Sequence, residues 1–206
     1  MKLHNFKFIV FSGPSAVGKS FAAKRLLQLR PDIFKSASLY TTREQRSTPD
    51  SDRISVTKEE FEQLINDDAF IMYDEYVSNL YGYPKSILDT NDRITIINTW
   101  PEKVPFFAKR NDTLVVLMQA PDSWEDLLIK RMQKRGDSPE MIHKRTQQIE
   151  KDIATINEIK HSLKDSDIFF TVHSATSTVK NMSESFRLCL ISLIVAMSFS
   201  ICCVLL

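Results

Sequence analysis

The stretch Gly13-Pro14-Ser15-Ala16-Val17-Gly18-Lys19-Ser20 decides the fold class of this chain. These eight residues fit the pattern G-x-x-x-x-G-K-[ST], in which the backbone N–H groups of a tight turn surround a phosphate group. The residues before it, 7–12, predict a buried strand, and residues 20–30 predict a helix that ends before Pro31. A strand, this loop and a helix in that order predict a nucleotide phosphate site, so all eight residues are candidate nucleotide ligands.

Two side chains of the loop can bind the nucleotide phosphates and a metal ion. The ammonium group of Lys19 can reach the β- and γ-phosphates of a nucleotide, and the hydroxyl of Ser20 is a ligand for Mg²⁺. The amino end of the following helix adds positive potential at the same place. The loop therefore predicts a site for a nucleotide phosphate and Mg²⁺, with Lys19 on the phosphates and Ser20 as the metal ligand.

The rest of the chain alternates between strand and helix patterns. Residues 93–98 and 113–119 are β-branched apolar runs that predict buried strands, and residues 123–134 predict a helix. Thr57 and Glu60 stand at capping-box spacing and predict the start of another helix. This alternation predicts an α/β layer fold with a mainly parallel core sheet.

The domain organisation follows from where the alternation is weaker. One domain would occupy residues 1–187, with an inserted acceptor-binding lobe over 33–88. A second lobe beside the phosphate loop gives a place for the phosphate acceptor.

Composition excludes several other classes of protein. The chain has 27 basic and 26 acidic residues, a balance that argues against nucleic acid as a partner. Its three cysteines all fall within residues 189–206, so the main body has neither a disulfide scaffold nor a cysteine zinc site. The sequence predicts a cytoplasmic protein whose partner is a small-molecule phosphate acceptor, and it leaves the oligomeric state open.

The carboxyl-terminal residues 188–206 form a run of 19 residues without a charge. A helix of that length would span about 28 Å, close to the hydrocarbon thickness of a bilayer. Lys180 and Arg187 lie on the side expected for a cytosolic domain. The tail is therefore a candidate membrane anchor. The alternative is that residues 177–190 continue a core helix that packs on the sheet.

Several motifs in order resemble the guanylate kinase family over residues 6–175. The loop has that family's form Gly-Pro-Ser-x-x-Gly-Lys-Ser, and residues 41–46 (TTREQR) resemble its T-T-R-x-x-R segment. Residues 79–82 (NLYG) resemble a later landmark, and the arginine-rich residues 130–136 resemble the family's lid. The resemblance implies a three-layer P-loop kinase fold, with a short lid over 130–146 and a core of residues 1–32, 89–129 and 147–187.

The resemblance also implies ATP as the donor and catalytic roles for Lys19, Arg131, Arg135 and Arg145. It implies an acceptor site at Arg43, Arg46, Arg53, Tyr81, Met72 and Asn98.

The departures from the family pattern cluster at this acceptor site. Met72 stands where these enzymes have a glutamate that binds guanine, and methionine cannot accept the guanine N–H groups. Asn98 and Trp100 stand at positions where aspartates are expected. Tyr40, Met72 and Asn98 instead resemble the related ribose 1,5-bisphosphate phosphokinases, which have no base to bind.

These departures give an expected acceptor and alternatives to it. Arg53 would suit a second acceptor phosphate, whereas Arg46 favours guanosine monophosphate (GMP). We therefore expect ribose 1,5-bisphosphate as the acceptor, forming phosphoribosyl pyrophosphate, with GMP as the alternative. A non-catalytic scaffold module is a third reading, disfavoured by the intact Gly18, Lys19 and Ser20. A GTPase or transport ATPase is disfavoured because the apolar residues 94–97 end in Asn98 rather than aspartate.

Overall fold

The computed structural model describes residues 6–45, 52–89, 93–120 and 124–162, and the backbone of 169–173. The strands are β1 (Phe8–Ser12), β2 (Phe34–Ser36), β3 (Leu39–Thr41), β4 (Arg53–Ser55), β5 (Phe70–Tyr76), β6 (Asn79–Pro84), β7 (Ile94–Thr99), β8 (Thr113–Gln119) and β9 (Phe169–His173). The helices are α1 (Lys19–Leu29), α2 (Lys58–Asn66), α3 (Val104–Ala108), α4 (Trp124–Lys134) and α5 (Pro139–Ser162).

A five-stranded parallel sheet forms the core, in the order β2-β7-β1-β8-β9. All five residues of β1 are buried, because the strand lies at the centre of the sheet with elements packed on both faces. Ser12 pairs in register with Thr99, so the carboxyl ends of β1 and β7 meet at one edge. The predicted α/β fold with a parallel sheet is confirmed. This edge is where such folds bind ligands.

A second, four-stranded sheet has the order β4-β3-β6-β5 and lies within the predicted acceptor lobe. Its β3–β4 pair is parallel, and its other pairs are antiparallel. The strand β2, also within the predicted range 33–88, instead pairs with β7 in the core sheet. Phe34 explains this, because its side chain is buried in the cluster between α1 and the core sheet.

The helices α2 and α5 begin where capping residues in the sequence predicted them to begin. The Thr57 hydroxyl accepts from the Glu60 N–H at 3.1 Å, and the Glu60 carboxylate accepts from the Thr57 N–H at 2.8 Å, which confirms the capping box. The predicted lid covers the end of α4, a turn at Gly136 with φ of 82°, and the start of α5. The Ser138 hydroxyl caps α5 by accepting from the Met141 N–H at 3.2 Å.

The predicted tail at residues 188–206 lies outside the described residues. Within the part of the chain that the structure describes, no helix has both the length and the apolar character needed to cross a bilayer.

Candidate active site

The phosphate loop between β1 and α1 is open for an anion. Gly18 is the N-cap of α1, and no side chain caps the first-turn N–H groups of this described helix. Gly13 lies at φ of 153°, and a Cβ there would lie 2.4 Å from the carbonyl oxygen of Met118, so only glycine fits. The free N–H groups and the helix dipole together make this loop a site for a phosphate group.

Lys19 folds back onto the phosphate loop. Its Nζ donates to the carbonyl oxygens of Gly13 at 2.5 Å and Pro14 at 2.8 Å. The residue keeps some solvent exposure, but its ammonium nitrogen lies deep between these carbonyls, and burial lowers the pKa of Lys19 to about 7. The negative charge of Asp152 acts in the opposite direction, whereas nearby arginines lower the pKa further. A nucleotide phosphate would supply the countercharge that this ammonium group lacks.

A cleft of about 310 Å³ extends from the loop to the second sheet. Its described lining contains six cationic side chains and one carboxylate, that of Asp52. Such an excess of positive charge in a confined space is suited to a polyphosphate and a second phosphate compound together. The cationic residues are Lys19, Arg43, Arg53, Arg131, Arg135 and Arg145.

Three of these arginines approach the loop from α4 and α5. Arg131 donates to the Ala16 carbonyl at 3.2 Å, and Arg145 donates to the Ser15 hydroxyl at 3.0 Å. Arg135 pairs with Asp137 at 2.5 Å, and the Nε of Arg145 lies 3.5 Å from the same carboxylate. Burial lowers the pKa values of Arg131 and Arg145 from their usual range. These three guanidinium groups line the same cleft as the phosphate loop.

The acceptor side of the cleft lies on the second sheet and the end of β7. Arg53 is bound to Asp52, with Nη1 3.1 Å from the carboxylate, and its guanidinium lies 5.8 Å from the centre of the Tyr81 ring. The Nδ2 group of Asn98 donates to the Asp52 carboxylate at 2.7 Å. Arg43 completes this side, so three predicted acceptor ligands face the same space as the phosphate loop.

Other predicted site residues lie elsewhere. Asn98 is buried behind Asp52 and does not line the cleft, and Met72 packs against the aromatic cluster that includes Tyr83. Arg46 lies outside the described residues. The residues predicted to bind the donor are all at this site. Residues 13–20 form the loop itself, and Arg131, Arg135 and Arg145 line the cleft.

Three residues at or beside the cleft were missed by the sequence reasoning. Asp52 and Tyr76 line the cleft, and Asp152 on α5 binds Tyr76. A signal existed for Asp152, because it follows Arg145 by seven residues, which places both on one face of a helix. No comparable sequence signal pointed to Tyr76.

The described residues fit Mg²⁺ in the manner of nucleotide-dependent enzymes. They contain no cluster of three or more histidine, cysteine, aspartate or glutamate side chains that could hold a metal by themselves. Mg²⁺ in such enzymes keeps several waters and is bound by substrate phosphates with one or two protein groups. The exposed hydroxyl of Ser20 at the start of α1 meets that need, and Asp52 is a carboxylate in the same cleft.

Comparisons with known proteins agree on one family. Residues 5–182 match the family model described as guanylate kinase. The guanylate kinase of Mycoplasmoides gallisepticum is 33% identical over 186 residues, covering 85% of this chain and 93% of that protein. The guanylate kinase of Corynebacterium jeikeium is 31% identical over 174 residues, covering 81% and 92%.

A solved structure supports the fold. The guanylate kinase from Anaplasma phagocytophilum matches with a TM-score of 0.57 at 18% identity, covering 93% of this chain and 87% of that one. At this identity the match bears on the fold alone.

The comparisons overturn the expected acceptor. Ribose 1,5-bisphosphate was wrong, since the relatives above 30% identity are guanylate kinases and favour the GMP alternative. The structure gives the physical reason for the error. Tyr40 packs its ring 5.9 Å from that of Phe70, and Met72 packs on the Tyr83 cluster. Each of these side chains therefore has packing partners that account for its identity without a change of acceptor.

Proposed function

This chain belongs to the guanylate kinase family of ATP-dependent phosphotransferases, and we propose that its acceptor is GMP. In the proposed reaction, the γ-phosphoryl group of ATP is transferred to the phosphate of GMP, giving GDP and ADP. The observation that carries the proposal is the single cleft that joins the phosphate loop to Arg43, Arg53 and Tyr81.

The loop side would hold the donor. Its backbone N–H groups and Lys19 would bind the β- and γ-phosphates, once Nζ leaves the Gly13 and Pro14 carbonyls. Ser20 would hold Mg²⁺, which supplies neutralising charge on the donor phosphates when it is bound. Because the acceptor phosphate is already anionic at neutral pH, the transfer needs no general base on the protein.

The acceptor side would orient the attacking phosphate. Arg43 and Arg53 are suited to bidentate hydrogen bonds with phosphate oxygens, and the Tyr81 hydroxyl is a further donor. Arg46 remains a proposed ligand from the family motif. The lid arginines Arg131, Arg135 and Arg145 would then stabilise the charge of the transferring group, whose transition state is governed by positioning and electrostatics.

A direct assay tests the proposed acceptor. The full-length chain with MgATP should produce ADP in the presence of GMP, at a rate at least tenfold above that with AMP, CMP or UMP. Mass spectrometry of the product should show GDP in equal amount to ADP. The expected preference for GMP rests on the family and not on Met72. The comparison with AMP, CMP and UMP therefore also measures how strongly the protein selects the guanine base.

The same assay has an outcome that contradicts the proposal. ATP binding without transfer to any nucleoside monophosphate would show that the cleft has kept its donor site and lost its acceptor chemistry. Arg43→Met provides the internal comparison. It should raise the KM for GMP at least tenfold with little change in the KM for ATP, because its guanidinium lies on the acceptor side.

For the tail, we propose that residues 188–206 anchor the domain at a membrane with residues 1–187 in the cytoplasm. The full chain should remain with the membrane fraction after alkaline carbonate extraction, whereas a chain ending at Arg187 should be released. Release of both would contradict the anchor and favour packing of the tail on the domain.

A further inference from the structure

A buried carboxylate on α5 lies beside the cleft. Asp152, on the face of α5 that also carries Arg145, is only 1% exposed. Its Oδ2 accepts from the Tyr76 hydroxyl at 2.7 Å, and its Oδ1 accepts from the Gln148 amide at 3.0 Å. A carboxylate is costly to bury, and retaining one here calls for a specific role.

Tyr76 connects three parts of the fold. It is the last residue of β5, at the edge of the second sheet, and its hydroxyl is bound by α5. Its ring stacks on that of Trp100, after β7, with centroids 4.9 Å apart and planes inclined by 22°. The ring of Tyr81, a proposed acceptor ligand, lies 6.4 Å from it. The position of Tyr76 therefore affects the acceptor side of the cleft directly.

The surroundings of Tyr76 keep its hydroxyl protonated, so that it can donate a hydrogen bond. Burial, together with the charge of Asp152, raises the pKa of Tyr76 well above its usual value, although Ser15 and Arg145 act against this. Burial raises the pKa of Asp152 to about 6, while Lys19 lowers it and Glu102 raises it. At neutral pH the pair is therefore a neutral phenol that donates to a buried carboxylate, a charge-assisted hydrogen bond of the stronger kind.

We propose that Asp152 is a positioning residue for phosphoryl transfer, which fixes the acceptor-side sheet to α5 through the hydroxyl of Tyr76. The bond spans 76 residues of sequence and joins the sheet that carries the acceptor ligands to the helix that carries Arg145. Losing it would leave the sheet free to move away from the loop. The apparent affinity for the acceptor would fall with the fraction of molecules in the competent arrangement. This inference rests on the proposed function for its kinetic readout.

The test uses variants that preserve shape. Tyr76→Phe removes one oxygen and keeps the ring on Trp100. It should raise the KM for GMP about tenfold, the loss expected for a hydrogen bond to a charged group, and change the KM for ATP less than twofold. Asp152→Asn should retain a near-normal KM for GMP, since its amide oxygen still accepts from Tyr76. Asp152→Ala should raise the KM for GMP as much as Tyr76→Phe does, and the double variant should have a KM for GMP no higher than that of either single variant.

Tyr73→Phe is the matched control, because Tyr73 lies on the same strand with a ring that is 51% exposed. Equal KM values for Tyr76→Phe and the unaltered protein would overturn the inference, as would equal increases for both substrates. If the unaltered protein does not phosphorylate GMP, hydrogen exchange decides the question separately. Tyr76→Phe should then accelerate exchange of the β5 amides at least fivefold relative to Tyr73→Phe, and unchanged exchange would overturn the inference.

Discussion

Lys19→Met is expected to lower kcat about 1,000-fold while leaving the fold intact. Removing one preorganised donor from a site of charge development costs on the order of 100- to 1,000-fold, and Lys19 is the loop's one side-chain cation. Methionine has similar length and no charge, so it fills the space between the Gly13 and Pro14 carbonyls. Steady-state ADP formation with GMP measures kcat, and thermal unfolding checks the fold.

Lys24→Met is the appropriate control, because Lys24 lies on the exposed face of the same helix. It should leave kcat within twofold of the unaltered protein. A loss of less than tenfold in Lys19→Met would mean that the arginines alone supply the charge. In that case Lys19 would keep its hydrogen bonds to the Gly13 and Pro14 carbonyls during the reaction and would not move onto the phosphates.

The loop and its neighbours could be predicted because their signals are local. The pattern that ends in Lys19 and Ser20 occupies eight consecutive residues, and the capping pair Thr57 and Glu60 is three residues apart. Hydrogen bonds within such short segments depend little on the rest of the fold. Strand positions followed likewise from apolar β-branched runs, with the 113–119 strand found at its predicted bounds.

The acceptor side could not be predicted in the same way, because it is formed by residues distant in sequence. Tyr76 and Asp152 meet only once the second sheet lies on α5. Met72 shows the converse problem. An apolar residue at a family's base-binding position suggests a changed substrate, yet the same residue satisfies a packing need against Tyr83. Sequence alone does not separate these two causes, and the packing of Met72 became visible only in the structure.

Asp152→Asn is expected to stabilise the protein at pH 8 by about 3 kcal/mol and to have no effect near pH 4. The folded-state pKa of Asp152 is about 6, above the ordinary value of 3.8, because burial disfavours the charged form. The folded state therefore holds the proton more tightly than the unfolded state does. Stability is lost as pH rises from about 4 to about 6, and this difference in pKa corresponds to about 3 kcal/mol.

Urea unfolding at several pH values between 4 and 8 measures the difference between variant and unaltered protein, in which the titrating groups that do not interact with Asp152 cancel. Glu150→Gln, an exposed position on the same helix, should give a curve parallel to that of the unaltered protein. If Asp152→Asn were less stable at pH 8, the attraction between Asp152 and Lys19 would outweigh the cost of burial. The expected gain in stability would instead mean that the carboxylate is retained at a cost to the fold. Its negative charge helps keep Lys19 protonated against burial, which is the form that binds a phosphate.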